Sequence, residues 1–374
     1  MKPEPSTKRL ALFFEQHPAL DISYLERLSS PTGIYQHGSF NIPNYHHGYC
    51  LDDNSRALLL LVKAEGISTS FLNHPLLSTY LSFIFFAQNE DGTFKNFMSF
   101  DLKFLENKGS EDSTGRAIWA IGSLLGNAHF ESYHSISREI FDRSLDRLLD
   151  FRSPRAVGYC LLGILKFIEA NPLDSHARNV AHALADFLEA EFDACDGHNW
   201  PWFEEIISYD NAILPLAMLR AGRIMKNQRW TEIGFTAFTF LDTVLFSNGQ
   251  LSMIGNQGWY PKGGEVSRSG QQPIEVPSIM LLYRELYRLE SNPIHLAKMQ
   301  RAFLWYLGEN DQELSVFNPS QKSCYDGLEE YGVNKNQGAE SNIAFWTAYI
   351  LAKGIDTLCA DCSVKTKAII NKPL

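Results

Sequence analysis

The chain has no apolar run approaching the roughly 20 residues of a membrane span, and its opening MKPEPSTKRLALFFEQHPALD lacks the continuous apolar stretch of a signal peptide. It is also short of positive charge. Lys and Arg number 33 against 43 Asp and Glu, a net charge of −10, which argues against a broad nucleic-acid surface. Six cysteines are scattered over 374 residues, and the Cys-x-x-Cys at Cys359 and Cys362 has no second pair to complete a metal site. There is no His-Glu-x-x-His and no serine nucleophile elbow. The segment YPKGGEVS lacks the spacing of a phosphate-binding loop and reads as a Gly-rich turn. Strand-like alternation is rare, and no Pro/Gly/Ser-rich linker divides the chain. These absences predict a reduced, cytoplasmic protein of one domain (1–374, core about 19–358), with no metal, cofactor, nucleic acid or membrane partner.

What the chain does have is aromatics, with 25 Phe, 15 Tyr and 7 Trp, and a layout used six times. A polar or Gly/Pro-containing motif leads into a helix that is apolar nearly all round. The six are YCLDDNSRALLLLVKA at 49, GSEDSTGRAIWAIGSLL at 109, RSPRAVGYCLLGILKFI at 152, SYDNAILPLAMLRAG at 208, QQPIEVPSIMLLYREL at 271 and NQGAESNIAFWTAYILA at 336. Between them lie helices with one apolar stripe, starting near 74, 136, 174, 229 and 293, with a further one at 19. A helix apolar all round must be buried, whereas a single stripe covers a core and faces water. Six buried helices inside six covering ones make an all-α (α/α)6 toroid. Its inner helices run parallel, so their N-termini and all six motifs converge on one face, each with the positive end of its dipole.

Asp52, Asp112 and Asp210 precede or open these helices, so helix capping is the plain account of each. Capping does not require the paired acids of LDDN and SEDS, or an arginine one turn further on, Arg56 and Arg116. Pairing with a neighbouring carboxylate and membership of a site explain those arginines equally well. The segments WPWFEEIISYDN (200–211), GNQGWYPKGGEVSRSGQQPIE (255–275) and CYDGLEEYGVNKNQGAES (324–341) are too long and polar to be core. Their Trp, Tyr, carboxylate and amide side chains suit a sugar, which takes rings on its C–H face and polar groups on its hydroxyls.

The segments TGIYQHGSFNIPNYHHGYCLDDNSRALLL, EDSTGRAIWAIG, WPWFEEIISYDNAILPLAML, GWYPKGGE with QQPIE, and DGL with GVNKNQGAESNIAF resemble, in that order, a bacterial six-hairpin glycosidase-like family. Its members stand alone or trail fused glycosyltransferases, and are associated with mannoside metabolism. The resemblance runs from about residue 32 to 354 and implies an (α/α)6 toroid that works on glycans. It implies roles for Tyr49, Asp52, Asp53, Asn54, Arg56, Asp112, Gly115 and Arg116, and for Trp202, Glu204, Tyr209, Asp210 and Asn211. Further along these fall on Tyr260, Gly263, Gly264, Glu265, Gln272, Glu275, Asp326 and Gly327, then on Asn334, Asn336, Gln337, Gly338, Glu340 and Ser341. NIPNYHHGYC departs from the more charged turn usual there. No glycosyltransferase domain is present, which argues against a nucleotide-sugar reaction in this chain and leaves a glycosyltransferase as a possible partner.

The reading that follows is cleavage of a glycosidic bond in a small, mannose-containing oligosaccharide, a reaction that needs a carboxylic acid on the leaving oxygen. Asp53 and Glu204 are expected as the acid/base pair. Asp52, Asp112, Asp210, Asn211, Gln272, Glu275, Asp326, Asn336, Gln337 and Glu340 are expected to bind sugar or set pKa values. Tyr49, Trp202, Tyr209, Trp259 and Tyr260 would shape its platform, and Arg56 and Arg116 would hold carboxylates. His37, His46, His47 and His198 sit in loops near these motifs, and the rivals are a sugar epimerase or isomerase using His47 or His198 and a glycan-binding partner without catalysis. Sugar, linkage, stereochemical course and oligomeric state are not legible.

Overall fold

The computed structural model describes residues 6–355, apart from 196, 198 and 248. His198, Cys359 and Cys362 therefore lie outside the described residues. Thirteen α-helices are present among the described residues. They are α1 (Ser6–Gln16), α2 (Ser23–Leu28), α3 (Leu51–Ala64), α4 (Pro75–Ala87), α5 (Glu111–Leu125), α6 (His134–Ser144) and α7 (Pro154–Ala170). They continue as α8 (Ser175–Cys195), α9 (Ile213–Met225), α10 (Gln228–Leu245), α11 (Glu275–Glu290), α12 (Pro293–Leu304) and α13 (Ala339–Lys353). The odd helices from α3 to α13 pack each on the next, and α13 packs back on α3 to close a ring. The even helices from α2 to α12 lie outside it, each against an inner neighbour. The fold is an (α/α)6 toroid, as the alternation of fully apolar and striped helices predicts.

The inner ring is tight because its contacts are small. Gly122 of α5 faces Gly163 of α7, where a Cβ on the first would fall 2.2 Å from the carbonyl oxygen of the second. No other residue permits that approach. Trp202, Trp230, Trp305 and Trp346 are almost wholly buried and supply bulk to the core. Two features differ from the sequence reading. The helix expected at 19 is the single short α2, and α1 precedes it, seating Leu10 and Phe13 in the core beside α12. The stripe of α1 is too short for its periodicity to stand out beside the longer helices.

Pairs of strands two or three residues long tie down the loops before the inner helices. Tyr49–Cys50 pairs with Phe97–Met98, Ile206–Ile207 with Tyr260–Pro261, and Gly327–Glu329 with Gly332–Asn334. These loops gather on the N-terminal face of the ring. None of the described helices is long and apolar enough to cross a membrane.

Candidate active site

Capping decides how the acids on this face are arranged, though not in the way the sequence suggests. The helices cap themselves with other residues: Cys50 Sγ accepts the Asp53 N–H, and Ser110 and Ser153 cap α5 and α7. Asp52 and Asp112 sit inside the first turn of their helices, free to point elsewhere, and Asp210 is not a cap. Three other acids reach across to a neighbouring helix start. Glu111 accepts the N–H groups of Arg152 and Ser153 at 2.9 and 2.7 Å, ahead of α7. Glu275 accepts those of Asp210 and Asn211 ahead of α9. Asp326 accepts the Gly338 N–H at 2.7 Å and the Ser341 hydroxyl at 2.9 Å, at the start of α13. Each such acid satisfies orphan N–H groups at the positive end of a helix.

The remaining groups form two networks. Arg116 on α5 donates to both oxygens of Asp52 at 2.8 and 3.0 Å, and to the Tyr159 hydroxyl on α7 at 2.9 Å. Tyr159 in turn donates to Asp210 Oδ2 at 2.5 Å. Arg56 bonds Asp53 at 2.9 Å and Glu340 of α13 at 2.8 Å, with Asp52 at 3.7 Å. Alongside, Asp112 accepts from the Ser153 hydroxyl at 3.0 Å and from the Tyr209 hydroxyl. Arg155 grips Glu204 through both terminal nitrogens and stacks 4.6 Å over the Tyr209 ring.

These side chains surround a cleft of about 650 Å³, lined by Asp52, Arg56, Asp112, Arg116, Tyr209, Gln272 and Glu340 among others. The cleft narrows to an axial neck of about 60 Å³, where Arg56, Arg116, Asp210 and Glu340 meet the apolar Leu59, Trp119 and Ile343. Asp210 is the unusual member. Its backbone is left-handed, at φ 48°, a conformation that costs energy for a residue with a side chain. It is held there by Glu275 beneath it. Its Oδ1 is buried and accepts no hydrogen bond. The Ser278 hydroxyl lies beside the carboxylate but donates to the Glu275 carbonyl, at 2.9 Å.

The environments push these acids apart in proton affinity. Burial would raise Asp52, but the Arg116 and Arg56 guanidiniums outweigh it and hold the carboxyl below its ordinary value. At Asp210 burial prevails over Arg116 and the carboxyl is raised. Burial, with the Asp210 charge added, lifts Glu275 to about 8. Asp53 rises to about 6 because burial beats Arg56. Glu204 is raised by burial against the pull of Arg155.

The structure brings together Asp52, Arg56, Asp112, Arg116, Tyr209, Asp210, Gln272 and Glu340. It does not place the expected acid/base pair on the cleft. Asp53 is absent from the lining of cleft and neck, with one oxygen on Arg56 and the other on the Cys50 thiol. Glu204 is locked to Arg155 outside the cleft lining. Trp202 is fully buried and Tyr49 nearly so, its hydroxyl bonded to Ser30, so neither offers a ring to a sugar. Tyr260 packs against Trp200 at 5.0 Å, and Trp259 stands 6.2 Å from Tyr209 at the rim. Asn211 and Glu275 lie beneath the site. Asp326, Asn336 and Gln337 fix loops: Asn336 accepts the Phe40 N–H at 3.0 Å, and Gln337 pairs with Ser323.

Sequence reasoning missed Ser153, Arg155 and Tyr159. Their signal was present in RSPRAVGY, where an arginine and a tyrosine four apart interrupt an otherwise apolar inner helix. His37 and His47 face each other at the rim, ring centres 4.5 Å apart, outside the cleft lining. Among the described residues no three His, Cys, Asp or Glu side chains converge as a metal site.

No family model matches the chain, and no curated protein matches it. Solved structures do. A sugar epimerase from a ruminal bacterium superimposes with a TM-score of 0.70 at 11% identity, over 93% of this chain and 99% of that one. The cellobiose 2-epimerase of Bacillus thermoamylovorans gives 0.70 at 9% identity, over 94% and 100%. The GH76 α-mannanase of Bacteroides thetaiotaomicron gives 0.63 at 12%, over 96% and 98%. At such identities the likeness is one of fold: this chain is built on the toroid that those sugar-acting enzymes share.

Proposed function

We propose that this protein is a carbohydrate-active enzyme that cleaves a glycosidic bond in a small, mannose-containing oligosaccharide, with Asp210 as proton donor and Glu340 as its partner base. One observation carries the assignment: Asp210 and Glu340 are the two carboxylates lining the neck where the cleft ends. Asp210 has an unengaged oxygen and a raised proton affinity, the state a general acid needs to protonate a leaving oxygen. Glu340 is bound to Arg56 through one oxygen, and its other oxygen is the one that would take a proton from an attacking water. Asp52, kept ionised by two arginines, supplies negative charge to an oxocarbenium-like transition state. Asp112, Tyr209 and Gln272 border the wider cleft and suit the hydroxyls of the sugar. The enzymatic reading also agrees with the sugar chemistry named for the fold neighbours.

The test is product analysis with purified protein on manno-, gluco- and galacto-oligosaccharides, with and without phosphate. Shortened oligosaccharide, absent with Asp210→Asn, supports the proposal, and a strict need for phosphate makes the reaction phosphorolysis. Conversion of a free reducing sugar to its epimer, with no cleavage of any glycoside, would replace cleavage with the isomerising chemistry. Tight glycan binding with no product would replace it with a receptor.

A further inference from the structure

The far end of the toroid axis, where the inner helices finish, holds a second cavity of about 370 Å³. Six cations line it: Lys63, Lys166, Arg220, Arg223, Arg284 and Arg288. Two carboxylates serve them. Glu285 takes Arg223 at 2.7 Å, Arg220 at 3.2 Å and Arg288 at 3.8 Å, and Glu169 takes Arg223 at 3.2 Å and Lys166 at 3.8 Å. Among the described residues neither Lys63 nor Arg284 has a carboxylate at ion-pair distance, and Arg284 Nε is buried with no hydrogen-bond acceptor. Composition does not account for this, since the chain as a whole carries −10. Helix dipoles account for part of it. Lys63, Arg223 and Arg288 occupy last turns, where a cation meets the negative helix end. Arg220 and Arg284 lie a turn deeper. Burial and the neighbouring cations bring Lys63 down to about 7 and Arg284 to about 10, the signature of a cluster short of negative charge.

We propose that this cavity is a binding site for a phosphate-bearing small molecule, separate from the glycan cleft. Guanidinium groups present planar forks that match phosphate oxygens, so several converging arginines favour a phosphate ester over a simple halide. The volume exceeds that of a lone oxyanion and leaves room for the organic group the phosphate carries. Trp119 and Leu281 give that group an apolar wall, with the Lys63 ammonium 5.8 Å over the Trp119 ring. The same three residues also line the neck of the cleft, so an occupant here would sit directly beneath the sugar site. This inference does not depend on the reaction assigned to the other end.

The experiment is calorimetric titration of the full chain with a hexose 6-phosphate and with inorganic phosphate, at ionic strength fixed with chloride. The expected result is saturable binding of the hexose 6-phosphate, tighter than that of inorganic phosphate. Arg284→Gln and Lys63→Met should each weaken it at least about tenfold, the effect of one charge-assisted hydrogen bond. Both variants should keep or raise the melting temperature, because each removes an uncompensated cation. Lys166→Ala, at the exposed rim, provides a third variant with a smaller loss should either of the others fail to fold. No saturable binding of either phosphate probe, or affinity unchanged in the variants, would overturn the proposal.

Discussion

The two ends of the toroid axis carry opposite charge, and the helix dipoles favour both. Acids gather where six helices begin and cations where they finish, so charge at either end is in part a structural matter. What separates a site from a cap is the polar atom left without a partner. At the mouth, Glu111, Glu275 and Asp326 spend their oxygens on backbone N–H groups, whereas Asp210 keeps Oδ1 free. At the base, Arg223 is shared between two carboxylates, whereas Arg284 keeps Nε free. The ends also differ in balance. Arg56 and Arg116 at the mouth are each matched to carboxylates, but the base has six cations for two acids.

The comparison breaks most visibly at Asp210. Asp210→Asn should lower kcat/KM on an unactivated glycoside by about a thousandfold while leaving the circular dichroism spectrum intact. An equal loss from Asp53→Asn without loss of fold would return the acid role to the residue expected from sequence. Next in size, Arg116→Met should destabilise the chain by about 3 kcal/mol in denaturant unfolding, because it takes from Asp52 its nearest counter-ion and from the Tyr159 hydroxyl its donor. The same kind of deletion at the base, Arg284→Gln, should not destabilise at all. Two arginine removals with opposite outcomes would sharpen the contrast, and two equal losses would erase it.

A pH effect follows from Glu275. Its value in the fold, about 8, lies above its ordinary 4.5, so between those values the native state holds a proton that the unfolded chain has released. Stability conferred by that proton is present below about pH 4.5 and is lost as pH rises through about 8. Asp53, raised to about 6, acts in the same direction. The melting temperature should therefore be lower at about pH 8.5 than at about pH 5.5, and Glu275→Gln should flatten that difference. A smaller loss than that from Arg116→Met is expected from Tyr159→Phe, which removes one buried hydroxyl between Arg116 and Asp210, at about 1 kcal/mol, together with a measurable fall in turnover.

Much of the fold was legible because fully apolar helices and striped ones differ in periodicity, and their alternation gives the two rings directly. The convergence of six motifs on one face followed from the parallel inner helices. The choice among the acids was not legible, because it rests on which helix each acid reaches. Asp52 and Asp53 are neighbours in sequence, yet one borders the cleft and the other is sealed beneath Arg56 and Cys50. Glu204 lies in a polar segment that reads as a site, but Arg155, from a motif 49 residues earlier, occupies it. Trp202 in the same segment is core. The basic cavity is not legible in the sequence because its six cations come from the ends of four helices, one or two from each, and form no run in the chain.

The measurement that tests the central claim most directly compares two substrates of one sugar in wild type and Asp210→Asn. One is a plain oligosaccharide, whose leaving oxygen must be protonated. The other is an aryl glycoside, whose acidic phenol departs without help. If Asp210 is the proton donor, the variant loses about a thousandfold on the oligosaccharide and little on the aryl glycoside. Equal losses on both substrates, or none on either, would contradict the account.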